Sequence, residues 1–163
     1  TIHPADYKVS VEGRPRFLEA LVQEEILLIV REALANAFTH SEATNIVVEV
    51  IYSPNALHVC VRDNGRGIDE FVLKAGSRSG HWGLPGMSER AKKMRGELQI
   101  ARQKEGGTQI HLRVPAAVSY RAKSRSSRTS WNLFRRTSRK IDELATEFDQ
   151  ASDEPHFSPN NHS

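Results

Sequence analysis

The stretch that most constrains this chain is Leu57 to Asp69. Leu57, Val59 and Val61 alternate with His58, Cys60 and Arg62, the period of a half-buried strand. The strand must end at Asp63, because Asp63-Asn64-Gly65-Arg66-Gly67 places two glycines one residue apart. Asp63 therefore stands at a strand end, facing a pocket. Taken alone, the same residues also read as an ordinary Asp-Asn-Gly turn closing a hairpin.

The neighbouring segments supply the partners of that strand. Ile46 to Tyr52 is dense in Val and Ile, Ser53-Pro54-Asn55 is a turn, and Leu57 to Arg62 returns as its hairpin partner. Glu97 to Arg102 and Thr108 to Val114 alternate around Gly106-Gly107, giving a second hairpin that Pro115 ends. Tyr7 to Val11 is a short strand broken by Gly13 to Pro15. From Phe17 the apolar residues recur at three and four, through Leu18, Leu21, Val22, Ile26, Ile29, Val30, Ala33, Leu34 and Ala37, predicting a helix to about Phe38 or Thr39. Glu32, Asn36 and His40 lie four apart along one edge of its apolar stripe, either as a solvated flank or turned toward a ligand. Gly76 to Gly83 is a glycine- and serine-rich loop. It feeds a helix read from Leu84, Met87, Ala91 and Met94, with Pro85 in the first turn and Gly96 as the stop. A glycine-rich loop ending on a helix N-terminus is suited to phosphate.

With 163 residues the chain has room for one domain and a surplus. No apolar run is long enough to span a bilayer, and no secretory signal is present. The chain opens on Thr1, so it is expected to be an excised piece of a longer protein. Cys60 is the one cysteine, which excludes an internal disulfide and fits a reducing cytoplasm. Lys and Arg number 23 against 20 Asp and Glu, but the two signs nearly balance up to Val118. The excess sits in Arg121 to Lys140, followed by an acidic stretch from Asp142 to Glu154. A nucleic-acid partner is therefore not expected. Residues 119–163 are read as a basic, then acidic tail, largely disordered, with an alternative in which Leu133 or Phe134, Ile141, Leu144 and Phe148 form one amphipathic helix near Trp131.

Four boxes now stand in order. Arg31-Glu32-Ala33-Leu34-Ala35-Asn36-Ala37-Phe38-Thr39-His40 resembles the N box of the GHKL ATPases, and Asp63-Asn64-Gly65-Arg66-Gly67-Ile68 their first glycine box. Gly80-His81-Trp82-Gly83-Leu84-Pro85-Gly86-Met87-Ser88-Glu89-Arg90 resembles the second, and Gly106-Gly107-Thr108 the last. The match runs from about Tyr7 to Pro115. The chain resembles the catalytic ATP-binding domain of a bacterial sensor histidine kinase, within the class that includes type II topoisomerases and heat-shock chaperone ATPases. The second box is most similar to the nitrate-sensing subfamily, whose partner regulators carry a helix-turn-helix output domain.

The resemblance implies a two-layer α/β sandwich of the Bergerat type over residues 1–118, helices on one face of a mixed sheet. It implies ATP and Mg2+ as ligands. Asp63 would accept from the adenine amino group, with Gly65 and Gly67 giving the base access to backbone and Thr108 supporting Asp63. Asn36 would hold magnesium, and His40 would reach the phosphates. Gly80, His81, Gly83, Leu84, Gly86 and Met87 would form the lid and helix start over the triphosphate. Glu32 would be the catalytic acid, as water activator in ATPases or as an aid to the acceptor in kinases. The implied partners are a dimerisation domain bearing the phosphoacceptor histidine, absent from this stretch, and a response regulator. The fragment is then expected to be monomeric and unable to phosphorylate itself. The parent is a cytoplasmic protein or the cytoplasmic part of an inner-membrane sensor. A nucleotide-binding regulatory module without phosphotransfer is the alternative.

Overall fold

The structure is a computed structural model describing residues 5–75, 83–122 and 130–152. Five strands, β1 (Asp6–Gly13), β2 (Asn45–Tyr52), β3 (Ala56–Asp63), β4 (Glu97–Arg102) and β5 (Thr108–Pro115), form one sheet in the order β1-β2-β3-β5-β4. β1 and β2 run parallel and the other neighbours antiparallel, so the sheet is mixed. The parallel pair requires a crossover, which α1 (Ala20–His40) supplies. Register sets Val9, Val48, Val61, Ile110 and Ile100 in one row across the sheet. The next inward row, Val11, Val50, Val59, Leu112 and Leu98, completes the floor of the core.

On that floor lies α1, which buries Val22, Ile26, Ile29, Val30, Ala33, Leu34 and Ala37. It starts later than its apolar spacing suggests, because Leu18 is held in a bridge to Tyr120 and the Glu19 N–H donates to the Ser119 carbonyl at 2.9 Å. Beside it runs α3 (Leu84–Lys93), tied to α1 by a charged staple. Glu25 is only 5% exposed yet meets Arg90 at 2.8 Å and Lys93 at 3.0 Å. The hydrogen bond from Arg90 outweighs burial and holds the Glu25 carboxyl below its usual range. The opposite face of the sheet is polar. There His58 and His111 stack with ring centroids 5.4 Å apart, and their Nδ1 and Nε2 atoms lie 3.1 Å apart. The two-layer α/β architecture inferred from the resemblance is thus present, along with both hairpins.

Three elements depart from the sequence reading. A short helix, α2 (Glu70–Ala75), precedes the glycine-rich segment; the Asp69 carboxylate accepts the Phe71 N–H at 2.6 Å and starts it. After Pro115, α4 (Ala116–Ser119) and Tyr120 remain in the core. The Tyr120 hydroxyl donates to the Ala56 carbonyl at 2.9 Å, and the Arg16 guanidinium covers its ring at 3.8 Å. Most consequentially, Ser130–Ser152 forms α5, a helix where a largely disordered tail is expected. It docks on α1: Ile141 and Ala145 are fully buried, and Phe148 stacks on Phe38 with centroids 6.2 Å apart. Thr146 and the Tyr7 hydroxyl share a 2.9 Å hydrogen bond. Composition reads this segment as solvated, but docking needs only one apolar stripe, and Ile141, Leu144, Ala145 and Phe148 provide it at helical spacing. The side chains of Trp131, Leu133 and Phe134 lie outside the described set. Among the described residues no helix is long and apolar enough to cross a membrane.

Candidate functional site

A cavity of about 710 Å³ opens between α1, the end of β3 and the β4–β5 hairpin. That volume suits a small organic ligand. From α1 it is lined by Ala33, Asn36, Ala37 and His40; the helical spacing of the last turns sets these on one face. From the sheet come Val61, Asp63, Ile100, Arg102, Thr108 and Ile110. Arg66, Gly67, Ile68, Asp69, Phe71 and Val72 form the rim after β3, and Leu84 closes the α3 side.

Asp63 is the chemical centre. The inward row of β3 makes it the continuation of Leu57, Val59 and Val61, so its carboxylate is delivered into an apolar layer and is 7% exposed. Burial pushes its carboxyl above the ordinary range. Hydrogen bonds from the Gly65 and Thr108 backbones and from the Ser41 and Thr108 side chains pull the other way without prevailing. Among the described residues no cation pairs with it, so the buried carboxylate is an acceptor that is costly to leave without donors.

The surroundings of Asp63 are built by close backbone approach. The Gly65 N–H donates to the Asp63 carboxylate at 2.9 Å, and a Cβ at Gly65 would lie 2.0 Å from the Ser41 carbonyl oxygen. Gly107, at φ +92, has no space for a Cβ either: it would fall 1.8 Å from the Asp63 carbonyl oxygen. The Ile68 N–H donates to the Thr108 hydroxyl at 3.0 Å, closing the glycine turn onto β5. The Gln103 side chain donates to the Asp63 carbonyl at 3.0 Å and to the Thr108 carbonyl at 3.3 Å. Asn64 accepts the Thr44 and Asn45 N–H groups at 2.9 Å each, fixing the turn to the start of β2.

The structure thus brings Asn36, His40, Asp63, Gly67, Leu84 and Thr108 to one cavity. Gly65 stands behind it against Ser41, and Met87 is 1% exposed in the core. Gly86 lies on α3 in open space, and Gly83 caps that helix at φ +63. Glu32 is not among the lining residues; its carboxylate rests on Gly83. Gly80 and His81 fall outside the described residues. Sequence reading gave no role to Ser41, Arg102 and Gln103, which lie outside the four boxes and act through the third dimension, nor to Arg66 inside the first glycine box. For Arg102 a signal was present: alternation along Glu97–Arg102 puts a cation on the apolar side.

Among the described residues no group of three or more His, Cys, Asp or Glu could hold a metal. The Asn36 side-chain amide is one of the polar groups that α1 brings to the cavity.

Comparison with known proteins places this geometry. Residues 22–118 match the family described as histidine kinase-, DNA gyrase B-, and HSP90-like ATPase. The nitrate/nitrite sensor protein NarX of Escherichia coli (strain K12) is 36% identical over 103 residues, 63% of this chain and 17% of that protein. The sensor histidine kinase YdfH of Bacillus subtilis (strain 168) is 36% identical over 99 residues, 60% of this chain and 24% of that protein. This chain therefore spans a small part of the length of these relatives. Among solved structures, the histidine kinase domain of the Erythrobacter litoralis EL346 blue-light activated kinase aligns with a TM-score of 0.54 at 26% identity, covering 68% of this chain and 55% of that one. The ATP binding domain of PrrB from Mycobacterium tuberculosis shares the fold, with a TM-score of 0.55 at 21% identity over 69% of this chain and 81% of that one. By the match over 22–118, the chain belongs to the histidine kinase-, DNA gyrase B-, and HSP90-like ATPase family.

Proposed function

We propose that this chain is the ATP-binding catalytic part of a two-component sensor histidine kinase. The observation that carries the reading is Asp63: a buried carboxylate with no cation paired to it among the described residues, at the wall of a cavity that Asn36 and His40 line from α1. The adenine amino group is a donor that satisfies it. Guanine presents a carbonyl at the matching position and leaves the carboxylate unpaired, so adenine is selected. Asn36 would hold Mg2+, which when bound neutralises charge across the phosphates. The α3 N-terminus, from Gly83 and Leu84, attracts the phosphate end through its free amides.

In the transfer, the bond from the γ-phosphorus to the bridging oxygen breaks, ADP leaves, and a bond forms to an imidazole nitrogen of the acceptor histidine. Glu32 assists by taking the imidazole proton or orienting the ring. The acceptor belongs to a dimerisation domain of the parent protein, and a response-regulator aspartate receives the phosphoryl group next. The fragment alone is a monomer inactive in autophosphorylation, on the cytoplasmic side of a cell in which the parent is free or membrane-anchored.

The reading is tested by calorimetric titration with ATP and GTP, with and without magnesium, followed by mixing with a separate histidine-bearing dimerisation domain and labelled ATP. Magnesium-strengthened ATP binding, weak GTP binding and label on the added histidine are expected. ATP binding without label would favour a regulatory nucleotide-binding module, a reading supported by Glu32 resting on Gly83 rather than lining the cavity.

A further inference from the structure

On β4, Leu98 and Ile100 pack toward the core, and strand alternation sets Arg102 on that same side. A cation there calls for an anion, a carbonyl or a π face. Among the described residues Arg102 has no ion-pair partner. Its side chain instead lies along the glycine turn: a Cβ at Gly67 would fall 3.1 Å from the Arg102 Cγ and 3.3 Å from its Nε. Gly67 leaves room for that stem.

The position of Arg102 along the cavity is set by register. It pairs with Thr108, whose side chain supports Asp63 and accepts the Ile68 N–H. Arg102 thus enters from the sheet at the Asp63 end, whereas Gly83 and the α3 N-terminus belong to the helix layer. Burial and hydrogen bonds, not a neighbouring cation, set the Asp63 carboxyl. The guanidinium and the carboxylate therefore line one cavity without meeting.

We infer that Arg102 is a base-binding residue, laying its guanidinium plane against the face of the purine whose edge Asp63 holds. The inference rests on the ATP reading above. A guanidinium is planar, weakly hydrated and stacks on π faces, whereas an ammonium on the same stem cannot reproduce the plane. The alternative, a contact with phosphate, would depend on charge alone and be served by either cation.

The test is calorimetric titration of the whole chain with Mg-ATP and with Mg-ADP, for the wild type, Arg102→Ala and Arg102→Lys, at low and high salt. Stacking predicts that Arg102→Ala weakens both nucleotides by the same factor, about tenfold. Lysine should not restore affinity, and the loss should persist at high salt. An unchanged affinity, a loss larger for ATP than for ADP, or rescue by lysine overturns the inference. Because Arg102 is exposed, its variants should melt with the wild type, and Arg102→Lys carries the test if the alanine variant does not fold. A wild type that binds neither nucleotide removes the ATP reading and this inference with it. Normal wild-type binding with an unaffected Arg102→Ala removes this inference alone.

Discussion

The side-chain amide of Gln103 donates to the main-chain carbonyl of Asp63 at 3.0 Å, from the turn between two other strands. The same amide reaches the Thr108 carbonyl at 3.3 Å. One side chain therefore clamps the end of β3 to the β4–β5 hairpin, and fixes the wall from which the Asp63 carboxylate projects. Gln103→Ala leaves both carbonyls without this donor. It should lower stability by about 1 kcal/mol and weaken ATP binding, with Gln103→Asn, one methylene shorter, failing to rescue either. Thermal melting and titration calorimetry read the two effects separately.

Asp63 has the opposite character, since its charge opposes folding. Its carboxyl titrates above the unfolded value, so the folded state binds the extra proton and stability is lost as pH rises through the interval between the two values. The cost is complete only once the pH lies above the folded value. Asp63→Asn keeps an oxygen for the Gly65 N–H at 2.9 Å and removes the charge. The variant should melt no lower than the wild type, and higher if relief of the charge dominates, while ATP binding falls by at least about 100-fold. A melting temperature well below that of the wild type would contradict this account.

Glu32 and Gly83 meet so closely that a Cβ on Gly83 would lie 1.9 Å from the Glu32 Oε1. The carboxylate can swing away, but the backbone of Gly83 sits at φ +63, where a side chain costs about 1 kcal/mol or more. Gly83→Ala should therefore lose stability in two parts. Combining it with Glu32→Ala recovers the steric part and leaves the backbone part, which a double-mutant cycle on denaturation midpoints measures.

On the outer face of the sheet, burial, His111 and Arg113 lower the pKa of His58 below its ordinary value. The unfolded chain then takes up a proton first on acidification, so stability holds above about pH 6.5 and declines toward the folded value before levelling. His58→Gln should flatten that decline in chemical denaturation series.

How much of this was legible follows from where the information lies. The hairpins, α1 and α3 were readable because period and turn residues are local, and Asp63 because a carboxylate before two glycines marks a strand end. α2 was not: Glu70–Ala75 is too short to show a period, and its start is marked by the Phe71 N–H donating to the Asp69 carboxylate. The links of Ser41 and Gln103 to Asp63 were invisible because they join residues far apart in sequence. Composition misled for Ser130–Ser152, where arginine and serine suggest water while four positions suffice to bind α1. The site roles of Asn36, His40 and Glu32 came from resemblance, and the structure adds that the first two share a cavity with Asp63 while Glu32 turns to Gly83.

Ile141 is 0% exposed and Ala145 likewise, both on a helix beyond the 22–118 segment shared with the family. Ile141→Ala should cost about 2–4 kcal/mol, as large as a substitution in the central strands. The edge of homology and the edge of the core are thus different lines on this chain. A fragment cut at residue 118 keeps all four boxes yet bares the Phe38 flank of α1, and its solubility, more than its chemistry, is what such a cut would change.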